Sequence, residues 1–358
     1  MRLARQVVYW LLVLSGLAWL AMRVNRRKVL VLAYHGVYTG PSDALLNHDG
    51  MHVRERRFVR QIRWVARHYR VVPIDELGTP APAGRPRAVI TLDDGYRNVR
   101  RVVFPILKAR SLPATLFLPT DFVLGRRGLW WDRLRAMLAA TATPTLRCSL
   151  AGRDHLLPVR TIAERVAAAE ALSPEIRNVP PARREALLAE LAARLGVPGR
   201  DAGAFGAPLA AGEIREMLRH GVTVGSHGTT HASFLTLGAD DLALELSASR
   251  LVLEGLTGAR VRWLAYPHGD FSPAVADAVR RAGYHGAVTT VEALAAGRGD
   301  AYAVTRIGVH DNMTMAHFIV AVSGLHDVFV GLVAAARRLR RRGPAVGLAV
   351  PSAGARSR

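Results

Sequence analysis

Two short segments concentrate the side chains that can do chemistry. Thr91-Leu92-Asp93-Asp94-Gly95 sets two carboxylates side by side, and Ser226-His227-Gly228-Thr229-Thr230-His231 sets two imidazoles four residues apart. Adjacent carboxylates at a strand end point in different directions, so one can hold a metal ion while its neighbour faces a water. Histidines at i and i+4 can share one face of a helical turn and coordinate one ion. Neither segment is specific alone. Asp-Asp-Gly is a common turn, and His48 and His52 repeat the same spacing in what reads as a loop with no ligand role. Together the two segments supply a carboxylate and two imidazoles, leaving a position open for water, the pattern of a catalytic divalent site. Such a site hydrolyses: the ion acidifies its water and polarises a carbonyl, and the spare carboxylate takes the proton.

Groups of this kind need a rigid scaffold, and each segment directly follows an apolar run. Val29 to Tyr34 ends at His35-Gly36, Ala88 to Leu92 ends at the two aspartates, and Val222 to Val224 leads into Ser226-His227. Short apolar runs bounded by turn signals read as buried parallel strands. Further strands are expected at 71–74, 114–118, 262–266, 286–289 and 303–309. Helical spacing is expected over 54–69, 99–110, 239–256 and 273–282. Alternation of this kind predicts an α/β fold, a distorted (β/α) barrel of about seven units whose chemistry collects at the C-terminal strand ends. From 125 to 212 the composition turns to Ala, Leu, Arg and Glu, which predicts a helical insertion with helices near 130–140, 162–172 and 182–195.

The two segments resemble motifs of the polysaccharide deacetylases of carbohydrate esterase family four, the NodB-homology family. Thr91 to Gly95 is similar to its Thr-Phe-Asp-Asp-Gly motif, with Leu92 for Phe. His227 to His231 is similar to its His-Ser/Thr-x-x-His motif, with Gly228 for the hydroxyl residue. Ala265-Tyr266-Pro267-His268-Gly269 matches its Arg-Pro-Pro-Tyr-Gly motif only in part. Leu32-Ala-Tyr-His-Gly36 looks like the first strand of one branch, and the resemblance spans Val29 to Phe318. It implies a hydrolase of carbon–nitrogen bonds other than peptide bonds, removing an N-acyl, foremost an N-acetyl, group from an amino sugar. On that resemblance Asp93 is the general base, and Asp94, His227 and His231 hold one divalent ion. Zinc is expected first, with cobalt, nickel and manganese also suited to the donors. The backbone N–H near His268 would help stabilise the oxyanion. The family's third-motif arginine falls on Ala265. Arg306 is the residue expected to replace it by pairing with Asp93. His310 is the expected acid for the leaving amine. His35, Tyr266 and Pro267 are expected to line the sugar site, and Trp130 and Trp131 read as core residues or a stacking platform. The missing arginine also sustains a different reading, a catalytically inactive glycan-binding component of a polysaccharide assembly system.

Composition narrows the setting. At 50% hydrophobic and 22% charged residues, bulk disorder is excluded. Cys148 is the sole cysteine, which excludes an intrachain disulfide and a cysteine-based metal site. The net charge of +21 comes mostly from arginine spread along the chain, and no nucleic-acid-reading motif accompanies it. Val7 to Met22 is an apolar run flanked by Arg2 and Arg5 and by Arg23, Arg26, Arg27 and Lys28. It reads as an uncleaved single-pass anchor in the cytoplasmic membrane, occupying residues 1–28. The heavier positive flank after the run points to a catalytic domain on the cytoplasmic face. The strand beginning at Val29 lies close behind the anchor, which favours a lipid-linked or nascent glycan of the cell envelope as substrate. Residues 319–358 are expected to form a basic C-terminal helix and tail, with Ala334 to Gly343 suited to an anionic membrane surface.

Overall fold

The apolar runs become strands buried on both faces. The computed structural model describes residues 2–79, 84–150, 152–198, 206–297, 299–325 and 328. Its strands are β1 Val29–Tyr34, β2 Gly36–Tyr38, β3 His52–Arg54, β4 Arg70–Val71, β5 Arg87–Asp93 and β6 Ala114–Leu118. They continue with β7 Thr145–Leu150, β8 Arg153–Pro158, β9 Val222–Ser226, β10 Trp263–Ala265, β11 Gly286–Val288 and β12 Ile307–Gly308. The helices are α1 Arg2–Leu14, α2 Leu17–Val24, α3 Glu55–His68, α4 Phe104–Lys108, α5 Thr120–Val123 and α6 Trp130–Ala140. After them come α7 Ile162–Arg177, α8 Pro181–Arg194, α9 Ala211–Leu218, α10 Ala239–Thr257, α11 Pro273–Arg281 and α12 Met315–Val322.

The main sheet runs β11-β10-β9-β6-β5-β1-β12 with every neighbour parallel, and β4 lies along the start of β5. Val304 bridges Val288, and three residues on the same segment begins to pair with β1, so residues 301–309 join the two edges. The sheet therefore curls into a distorted (β/α) barrel. Side-chain alternation sorts each strand between two cores. Val29, Val31, Val89, Phe117 and Trp263 pack together on one face. Leu30, Leu32, Tyr34, Ile90 and Leu92 pack against Phe58 and Ile62 of α3 on the other. The alternation puts Asp93 on the face of Val89 and Thr91, opposite Leu92.

Several expectations change. The strand expected at 71–74 is the two-residue β4 followed by a 3-10 turn at Ile74–Glu76, because Pro73 has no N–H to extend a ladder. Of 303–309 only Ile307–Gly308 is strand, since the segment changes partners midway. The helix near 99–110 opens with π-type turns at Val99–Val103. The insertion is not purely helical. β7 and β8 form an antiparallel hairpin whose alternating inner residues Leu146, Cys148 and Leu150 join α6, α7 and α8 in a separate core. The parallel β2–β3 pair was also unexpected.

The N-terminal run is broken rather than continuous. Gly16 takes a left-handed conformation (φ 79°), and the helices either side of it bend by 63°. Among the described residues no single helix is long and apolar enough to cross a membrane, although Ala4–Leu14 and Leu17–Val24 are so as a bent pair. α1 lies on α12, with Tyr9 stacked on His317 at 4.4 Å. The basic segment Ala334 to Gly343 lies outside the described residues.

Candidate active site

Asp93 closes β5, and Asp94 and Gly95 turn the chain away from it with φ of 71° and 80°. A Cβ on Gly95 would stand 2.6 Å from Leu118, so glycine is needed for space as well as for conformation. The inward face of β5 delivers Asp93 to Arg306, whose Nη1 and Nη2 donate to Oδ1 and Oδ2, each at 2.8 Å. Arg306 also donates from Nη1 to Thr91 Oγ1 (3.0 Å) and from Nε to the Thr289 carbonyl (2.8 Å). Both partners are almost fully buried, at 1% and 3% side-chain exposure. Burial by itself would raise the Asp93 carboxyl, but the Arg306 guanidinium beside it, aided by His227, holds it below its ordinary value.

Asp94 faces the other way. Its Oδ1 is 3.4 Å from His231 Nε2 and 3.7 Å from His227 Nε2, and the two Nε2 atoms are 3.1 Å apart. Asp94, His227 and His231 form the cluster of ligand atoms, all within 4.8 Å of one another, found among the described residues. His227 Nδ1 donates to the Ala265 carbonyl at 2.8 Å, which leaves Nε2 bare and aimed at Asp94. Burial, then the nearby His231, pushes His227 down to about 4, so it is neutral and available as a ligand at neutral pH. Both carboxylate oxygens of Asp94 are buried without a hydrogen-bond partner. Such orphaned acceptors are costly unless something completes them. A divalent cation fits this donor set, because it would satisfy the carboxylate and both Nε2 atoms at once.

These residues line one cavity of about 480 Å³ with His35, Tyr266, His268, Trp130 and Trp131. Backbone strain gathers there. Of the four described non-glycine residues with positive φ, Asp94, His231 and His268 are in this cavity. The His268 ring lies 4.6 Å from that of His231, and burial, then the His231 charge, lowers it well below its ordinary value. His35 Nδ1 is buried without a partner. The Tyr266 hydroxyl donates away from the cavity to the Tyr302 carbonyl. Two residues are not brought in. Pro267 is buried outside the lining, and His310 lines a neighbouring cleft instead. His48 is at the cavity's edge, bonded through Nδ1 to the Leu45 carbonyl, and His52 is buried against Tyr96 and Asn98.

The insertion supplies a wall that the sequence did not reveal. Glu170, Ser173 and Arg177 face the cavity from one side of α7, and Arg177 is paired with Asp270, which also accepts from Ser233 (2.8 Å). Trp131 presents its edge to His231 at 4.7 Å and donates from Nε1 to the Tyr96 hydroxyl (3.1 Å), which donates to Asp132 (2.8 Å). Burial pushes Asp132 up to about 7. The available signal was the run Trp130-Trp131-Asp132, a carboxylate on the same helical turn as two indoles that belong in a core.

Residues 199–287, which include His227, His231 and Ala265 to Gly269, match the sequence profile of the polysaccharide deacetylase family. Among curated proteins no sequence matches the chain. Its fold is similar to that of the Streptococcus pyogenes deacetylase PplD, seen in complex with acetate. That likeness has a TM-score of 0.56 and 16% identity, covering 82% of this chain and 98% of that one. IcaB from Ammonifex degensii is similar with a TM-score of 0.52 and 19% identity, covering 84% and 97%. A Bacillus cereus polysaccharide deacetylase is similar at 0.52 and 19%, covering 82% and 69%. Motifs, family match and fold point the same way: residues 199–287 match the polysaccharide deacetylase family, and the fold around them is similar to that of the deacetylases just described.

Proposed function

We propose that this chain hydrolyses the N-acetyl group of an amino sugar in a polysaccharide or lipid-linked glycan, releasing acetate and a free amine. The observation that carries the reading is one cavity holding an arginine-clamped carboxylate beside an orphaned carboxylate and two facing imidazoles. Asp94, His227 and His231 would hold a divalent ion, zinc foremost. Bound there, the ion supplies polarisation of the acyl carbonyl and a more acidic water. Asp93, kept ionised and fixed in orientation by Arg306, takes the proton of the attacking water on a lone pair the guanidinium leaves free, and can return it to the leaving nitrogen. Trp130, Trp131 and the α7 face keep bulk water off one side of the cavity.

The alternative, an inactive glycan-binding component, drew its support from Ala265. Arg306 pairs with Asp93 from a different strand end, which removes that support. Incubating the purified protein with N-acetylated oligosaccharides and zinc should release primary amine and acetate in equal amounts, and a chelator should stop the release. Binding of the oligosaccharides with no product from any of them would instead favour the inactive reading.

The bent pair α1–α2, with Trp10, Leu11, Leu14 and Leu20 exposed, supports attachment to the cytoplasmic membrane. The positive residues after α2 support a cytoplasmic catalytic face. Cys148 is free and buried. Moved to an exposed loop, it should resist a membrane-impermeant maleimide in intact cells, and labelling without permeabilisation would put the domain outside.

A further inference from the structure

Beside the catalytic cavity lies a larger one of about 780 Å³. Its walls are α1, α2 and α12, through side chains such as Leu12, Leu20, Val320 and Ala321, and its floor is β12. Water has few partners in such a groove, whereas a hydrocarbon chain buries apolar surface against apolar surface.

Three observations specify the occupant. His310, Asn312 and Glu292 supply polar lining near the strand end, and Tyr9 and His317 supply it from α1 and α12. His310 lines this groove, and His35 lines the catalytic cavity. Ala33 and Gly308 are register partners just before these two histidines, so the groove and the cavity meet across adjacent strand ends. The second observation is charge. α1 and α2 contain no acidic residue, and exposed Arg5 lies close enough to His317 in the lining to lower it further after burial. Glu292, the acid in the lining, faces His310 across Gly308. Arg5 is thus the cation an anionic head would meet, with Glu292, near both His310 and His317, as the opposing charge. The third is access. Leu17 and Leu20 line the groove and are still exposed, so it is open along α2, and Leu11 and Leu14 on α1 are exposed as well.

We propose that this groove holds the hydrocarbon chain of a lipid phosphate whose glycan head reaches the catalytic cavity. The proposal rests on the deacetylase reading and narrows its substrate to a lipid-linked glycan.

A diazirine-bearing geranylgeranyl phosphate, added to the full-length protein in nanodiscs and photolysed, tests it. Adducts should map to α1, α2 and α12, and unlabelled geranylgeranyl phosphate should displace them at least ten-fold better than geranylgeraniol. Ala321→Trp, which fills the groove, should cut labelling at least five-fold, and Arg5→Glu should abolish the preference for phosphate over alcohol. Thermal melting is the folding control. If Ala321→Trp does not fold, Leu12→Trp fills the same space from the opposite wall. Adducts scattered over the exposed outer faces, or labelling unchanged in a folded groove-filled variant, would overturn the proposal. So would labelling that appears only after removal of residues 329–358, since the groove would then hold the chain's own C-terminal segment. Labelling is read without turnover, so absence of amine release would count against the deacetylase reading and not against the groove.

Discussion

Arg306→Ala is expected to lower kcat by roughly 10²–10³-fold while KM moves only a few-fold, because the arginine acts on the base and not on the sugar. Two influences on Asp93 oppose each other: burial favours the neutral carboxyl, and the guanidinium favours the charged one. With Arg306 gone, burial prevails and the Asp93 pKa rises. The acid limb of the kcat–pH profile should therefore move to higher pH. The same linkage sets the sign for stability. A carboxyl held low in the fold contributes stability above its unfolded value of about 3.9, and loses it as pH falls through the folded value. The stability advantage of the native chain over Arg306→Ala should thus shrink on acidification. Removing one member of a buried pair costs about 3–5 kcal/mol, so melting curves must accompany the kinetics. Arg306→Lys keeps a charge but loses the two-pronged geometry, and should fold with an intermediate kcat. A folded Arg306→Ala with kcat within three-fold of native and an unmoved acid limb would return Arg306 to a purely structural role.

Asp94→Ala and His227→Ala should abolish metal binding and turnover together, whereas Asp93→Asn should keep the metal and lose roughly 10²–10⁴-fold in kcat. The asymmetry follows from geometry. Asp94 has two unpartnered oxygens, one of them facing Nε2 of both His227 and His231, while both Asp93 oxygens are engaged by Arg306. The other pair at the same spacing supplies the contrast. His48→Ala and His52→Ala should leave metal content unchanged, because His48 is tied to Leu45 and His52 to Asn98. His52→Ala should still cost about 1–3 kcal/mol, as a buried polar group losing its partner does. Metal analysis after dialysis, set beside kcat for each variant, decides the matter. Equal metal loss in Asp93→Asn and Asp94→Ala would end this division of roles.

What the sequence determined by itself is local. A strand buried on both faces must be apolar at every position, so Val29 to Tyr34 and Ala114 to Leu118 are recognisable as continuous runs. The polar residue that ends such a run is where the chain meets the strand-end surface. For that reason Asp93, Asp94 and His227 could be picked out together with their scaffold. Helices with a single apolar stripe, such as α3 with Phe58, Ile62 and Val65, were equally plain. The insertion hairpin was missed because its alternation is short and lies between strongly helical segments.

Tertiary structure decided what depends on sheet order and curvature. Arg306 meets Asp93 across 213 positions of sequence only because residues 301–309 close the barrel beside β5's neighbour. His310, a few residues further on, lines the apolar groove, while Pro267 is buried in the turn after Tyr266 and away from the cavity that Tyr266 lines. The wall formed by Glu170, Ser173 and Arg177 depends on how α7 docks, and the break at Gly16 on how α1 finds α12. Local pattern reports which face of an element is buried. It carries no information about which distant element buries it, because that choice is made by the packing of the whole sheet.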